Sequence, residues 1–130
     1  MTAGAVGAWL CALSVAGGAF GAHALRGRLD PDHLQLWETA ARYALYGGFG
    51  LLTCGLAGKR PGVRAAAWAI GLGAAIFAST VGALALGGPR LLGAVTPLGG
   101  LGLIAGFVVL GFAMLDRGAD HAAPRSTPTC

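Results

Sequence analysis

Between Met1 and Leu25 the chain carries no Asp, Glu, Lys or Arg, and three more apolar runs follow, separated by short polar turns. At ~1.5 Å rise per helical residue, runs of this length reach across the ~30 Å hydrocarbon core of a bilayer. Charged residues make up only 11% of the 130 residues, against about a quarter in soluble domains, so the runs are read as membrane spans. The 24 glycines then suit helices that approach closely in lipid. The net charge of +4 is spread over short loops. It is a topology determinant rather than the clustered basic face of a nucleic-acid binder. Cys11 and Cys54 lie inside apolar runs and Cys130 is the last residue, with neither metal-ligand spacing nor a disulfide framework.

The pattern predicts an all-α integral membrane bundle of four transmembrane helices, over residues 3–25, 39–57, 64–86 and 97–115. Together these form one domain, 1–115, followed by a polar, proline-containing tail, 116–130, expected to be disordered. Ala22-His23-Ala24 resembles a signal cleavage site, but no basic residue precedes Arg26 and the apolar core is longer than a signal's. The first run is therefore expected to be a retained span. Between spans one and two, Asp30-Pro31 begins a helix with a capping side chain and a proline at the first position. Leu34, Leu36, Trp37, Ala40 and Ala41 recur at helical spacing, which predicts an amphipathic interfacial helix anchored by Trp37 and Tyr43 and running on into span two. Gly58-Lys59-Arg60-Pro61 and Gly87-Gly88-Pro89 end the second and third spans, and Thr96-Pro97 repeats the cap-plus-proline start for the fourth.

Rows of small residues mark the expected helix contacts. In span one, Gly4, Ala8, Ala12 and Ala16 follow every fourth residue, and Gly17 and Gly21 make a GxxxG pair. Span three carries an unbroken row, Ala67, Gly71, Ala75, Ser79, Ala83 and Gly87. Gly102 and Gly106 belong to the same kind of row in span four. A row stepping by four drifts ~40° per step, so one helix offers its groove to two partners. Four spans put both termini on one side, with Lys59, Arg60, Arg64, Arg117 and Arg125 against Arg26, Arg28 and Arg90. The positive-inside rule then assigns the termini to the cytoplasm.

Candidate functional residues form a polar set near or within the spans: His23, Trp37, Glu38, Arg42, Tyr46, Ser79 with Thr80, and Thr96. Glu38 and Arg42 are one helical turn apart in the favourable order. They are read either as a charge pair facing the bundle interior or as an interfacial pair that sets helix depth. His23 is a proton relay or ligand candidate, or simply a favourable group at a helix C-terminus. Ser79 and Thr80 hydrogen-bond within their helix or across to a neighbour. No nucleophile, base and positioner can be assembled, so no enzyme, cofactor or metal is expected.

Three blocks, residues 18–25 (GAFGAHAL), 37–43 (WETAARY) and 93–100 (GAVTPLGG), resemble the signature of the YgdD-like family, in the same order and over roughly residues 17–110. These are small membrane proteins of bacteria with mitochondrial relatives, catalogued as a domain of unknown function. The resemblance implies a four-helix protein of the bacterial inner membrane with no activity to transfer. Family members often have a His after the tyrosine that corresponds to Tyr46, whereas this chain has Gly47, so any site needing that His is lacking here. Two functional readings stand. One is a structural or accessory protein that binds other membrane subunits or itself as a homo-oligomer; the other is a small oligomeric transporter or channel.

Overall fold

The computed structural model describes residues 2–121. Four helices follow one another: α1, Ala3–Phe20, continued without a break by a π-helical turn, Gly21–Leu25; α2, Pro31–Ala57; α3, Val63–Ala85; and α4, Leu92–His121. Local chemistry sets several of the ends. Asp30 accepts the His33 N–H at 3.0 Å and Pro31 takes the first helical position of α2, where its missing N–H costs nothing. The turn between α2 and α3 is held at both ends by glycines of positive φ, Gly58 at 74° and Gly62 at 81°, a conformation a side chain would strain.

The helices are antiparallel neighbours in chain order. α1 packs on α2, α2 on α3 and α3 on α4, with a slighter contact of α2 on α4, and α1 has no extensive contact with α3 or α4. They therefore form an open row. α2 serves two neighbours by using two seams. Leu36, Ala40, Tyr43, Gly47, Gly50 and Cys54 are buried or half-buried along one, and Gly47 and Gly50 there meet Ala74 and Ile70 of α3. Along the other, Gly48 and Gly55 meet Cys11 and Gly4 of α1. On α4 the inward line is Thr96, Gly99, Leu103, Gly106, Leu110 and Ala113. The first of these α2 lines and the α4 line step alternately by three and four, and Gly48 and Gly55 are seven apart, all on the 3.5-residue period that keeps one seam turned toward a partner helix.

Glycine lets the backbones meet. A Cβ on Gly73 would lie 2.6 Å from the Leu103 nitrogen, one on Gly99 2.6 Å from the Phe77 nitrogen, and one on Gly7 2.6 Å from the Leu52 nitrogen. No real side chain fits such gaps. The core between α2, α3 and α4 centres on Ile70, which is fully buried and touches the positions of Gly50 and Gly106. Among the described residues no buried side-chain nitrogen or oxygen lacks a partner.

The interfacial helix runs on into span two as one continuous helix, as the sequence led us to expect, since residues 38–45 contain neither Gly nor Pro to interrupt it. Other expectations are revised. Thr96-Pro97 lies inside α4, which starts at Leu92: Leu92, Gly93 and Ala94 donate to Pro89, Arg90 and Leu91 in a tight first turn. The proline removes only the donor that would reach Gly93. α4 also continues past residue 115 to His121, and the remainder of the expected tail, 122–130, lies outside the described residues. Gly102 and Gly106 do face α3, but the strict every-fourth rows of α1 and α3 are not the contact lines. Ala8, Ala12, Ala16, Ala75 and Ser79 are exposed, and Ala67, Gly71 and Ala83 half-buried, while Ala66, Ile70, Gly73 and Ala74 beside them are buried. Three helices are long and apolar enough by length and composition to cross a membrane: Ala3–Leu25, Val63–Ala85 and Leu92–Leu115. The charged groups, tyrosines and glycines of α2 set it apart.

Candidate functional site

The polar residues singled out in the sequence separate into groups that do not converge. Trp37 belongs to the α1–α2 seam, where its indole Nε1 donates to the Gly17 carbonyl at 2.8 Å. The same ring covers Gly21, whose hypothetical Cβ would meet it at 2.5 Å, and tilts against Phe20 with centroids 6.2 Å apart. Gly21 is thus small because an indole occupies its side-chain space, while Gly17, with open space around its own Cβ position, contributes a carbonyl. His23 lies in the π-helical turn just beyond, exposed.

Glu38, Arg42 and Tyr46 follow one another at four-residue steps on the outer face of α2, all exposed. Among the described residues the acid–base contact within ion-pair distance is Asp30–His33 at 2.6 Å, an ion pair when the imidazole is protonated; Glu38 and Arg42 do not close into one. Tyr46 leans edge-on against Tyr43, at 5.5 Å between centroids, and Tyr43 stacks on Phe77 of α3 at 4.2 Å. The tyrosine pair therefore ties this outer face to the core.

Thr80 and Thr96 join α3 to α4, with their hydroxyl oxygens 2.9 Å apart. Thr80 also reaches the Ile76 carbonyl at 2.8 Å and Thr96 the Leu92 carbonyl at 3.0 Å. Each hydroxyl has one proton, so one threonine donates to its own helix and accepts from the other. Ser79, next in sequence, is exposed and turned back to the Ile76 carbonyl at 3.2 Å.

At the start of α2, outside the apolar runs, the backbone and then the side chain of His33 hold the Asp30 carboxyl below the usual carboxylate range. Among the described residues no three His, Cys, Asp or Glu side chains gather as a metal would require.

Sequence reasoning missed a broad groove. Because α1 stands away from α3, a groove of about 1070 Å³ opens between them over α2. Trp9, Leu13, Leu51, Trp68, Gly71 and Ala75 line its apolar part, and Lys59, Arg60 and Arg64 stand at one end. In the sequence these basic residues mark topology, and nothing in a linear pattern announces that two non-consecutive helices do not pack together.

The description of a family of proteins of unknown function, DUF423, matches residues 17–100. A UPF0382 membrane protein of Staphylococcus haemolyticus is 40% identical over 107 residues, covering 81% of this chain and 88% of that protein. One from Staphylococcus epidermidis is 39% identical over 112 residues, 85% of this chain and 92% of its own. UPF0382 membrane protein YwdK of Bacillus subtilis is 36% identical over 109 residues, 81% of this chain and 89% of its own. No solved structure matches. With its apolar helices and relatives of nearly matching length, the chain belongs to the DUF423 family of bacterial membrane proteins of unknown function.

Proposed function

We propose that the chain is an accessory protein of the bacterial inner membrane that crosses the bilayer four times and binds a membrane partner through the outer face of α2. The four-span part is supported by packing. α2 lies antiparallel along α1, from Trp37 over Gly21 to Gly55 over Gly4, and packs on α3 at Gly47 over Ala74 and Gly50 over Ile70, so a bilayer crossed by its two neighbours has to accommodate it as well. Its 27 residues extend ~40 Å, more than the ~30 Å hydrocarbon thickness. The resemblance to the YgdD-like family points the same way, and the basic turn at Lys59 and Arg60 favours cytoplasmic termini.

The observation that carries the partner reading is the exposure of Glu38 and Arg42 on one face without an ion pair between them. Counting back from the basic turn, Arg42 stands 15 residues before Ala57, ~22 Å along the helix and inside the hydrocarbon zone. A charge there costs a few kcal/mol unless it is paired or reaches the interface. A second membrane subunit, or another copy of this chain, presenting an opposite charge at that depth would remove the cost. A photoreactive residue in place of Tyr46 or Phe49, illuminated in native membranes, should give a discrete adduct, and Arg42→Gln should weaken it. A bare monomer from mild detergent with no adduct from either position rejects the reading.

A further inference from the structure

We propose that the groove between α1 and α3 is a binding site for one anionic phospholipid, with its headgroup on Lys59, Arg60 and Arg64 and its acyl chains along Trp9, Trp68 and Ala75. The inference rests on the chain being embedded in a bilayer and goes beyond the partner reading. Three observations select this occupant. The first is charge complementarity: an apolar groove whose basic residues sit together at one end matches a molecule with one anionic end and a long apolar remainder. Basic pockets between spanning helices hold lipid headgroups for this reason.

The second is length. The groove runs on α3 from Val63 to Ala75 and on α1 from Thr2 to Leu13, ~16–18 Å along each helix. That is about half the ~30 Å hydrocarbon core, the depth of one leaflet, and it is measured from the basic turn where the headgroups of that leaflet lie. The third is volume. At about 1070 Å³ the groove stands at the upper limit of ordinary ligand pockets, roughly 300–1,000 Å³, as two acyl chains require. The span-three row of small residues finds a use here as well: Ala67, Gly71 and Ala75 line this groove and keep it open.

The test uses the full chain reconstituted in nanodiscs of equal phosphatidylglycerol and phosphatidylcholine, released into the gas phase for native mass spectrometry. One retained phosphatidylglycerol per chain is expected, enriched about fivefold or more over phosphatidylcholine, the factor that a single basic side chain near an anionic group supplies. The triple variant Lys59→Gln, Arg60→Gln, Arg64→Gln should return the retained lipid to the input ratio. Ala75→Leu, which fills the groove from an exposed position and leaves the charges in place, should lower total retention. Unchanged circular dichroism shows that both variants remain folded. Retained lipid of input composition in the parent chain, no effect of the triple variant, or a second copy retained in place of lipid each overturns the proposal. Carbonate extraction of the same chain from membranes reports separately on embedding, so failure there is distinguishable from failure to select a lipid.

Discussion

Single residues in this protein matter chiefly by what they leave out. Gly73 and Gly99 stand where α3 and α4 touch through their backbones, and a Cβ at Gly99 would come within 2.8 Å of the Gly73 carbonyl oxygen. Gly73→Leu should therefore separate the two helices and abolish a cooperative unfolding transition in detergent, whereas Ala105→Leu on the exposed side of α4 should leave the transition in place. The Thr80–Thr96 pair adds a smaller, directional contribution. Interhelical hydroxyl bonds in membrane proteins average about 0.6 kcal/mol because the separated helices also find partners. Thr80→Val should cost about that much in a denaturant titration, and adding Thr96→Val should cost little more, since the two hydroxyls share one bond. Sequence reasoning placed Thr80 as an internal or cross-helix donor but could not pair it with Thr96, sixteen residues on, because that pairing depends on the register of two helices.

At the scale of the helix, start signals were legible where the chemistry is local. Asp30-Pro31 begins α2 as its residue types require, with the carboxylate capping His33. Because His33 lowers the folded-state pKa of Asp30, the cap's contribution is complete above the unfolded value of about 3.9 and is lost as pH falls through the lower folded one. The protection of the His33 and Leu34 amides, measured as exchange relative to the intrinsic rate at each pH, should fall as Asp30 becomes protonated, and Asp30→Ala should leave it low and nearly independent of carboxylate titration. Thr96-Pro97 carries the same type of signal yet lies a turn and more inside α4, because three backbone bonds from Leu92, Gly93 and Ala94 form the preceding turn. The packing faces were only half legible. Gly7 and Ala8 are both small and one residue apart, but Gly7 is buried against Gly48 and Leu52 while Ala8 is exposed. Gly7→Leu should destabilise the α1–α2 pair and Ala8→Leu should not, as thermal melts of the two variants in detergent will show.

For the whole molecule, the open row has consequences that a closed ring of helices would not. α1 is held chiefly by α2 and is the helix freest to separate, so the variants of its seam should loosen it before the α2–α3–α4 core around Ile70 is affected. Single cysteines at Arg28 and Lys59, which bracket α2, in a chain stripped of Cys11, Cys54 and Cys130, should be labelled from opposite sides of the membrane. Labelling of both from the same side would exclude the four-crossing reading. Residue order alone determined the apolar character, the division into four helices and the turns between them, because hydropathy, caps, prolines and left-handed glycines act over a few neighbours. Which side of each helix meets a partner was decided only in the tertiary structure. Helices of 3.6 residues per turn stay in contact along a 3.5-residue seam, which moves the buried line from Ala67, Gly71 and Ala75 to Ala66, Ile70 and Gly73. The separation of α1 from α3, and with it the groove beside Lys59, Arg60 and Arg64, exists only once all three helices are in place.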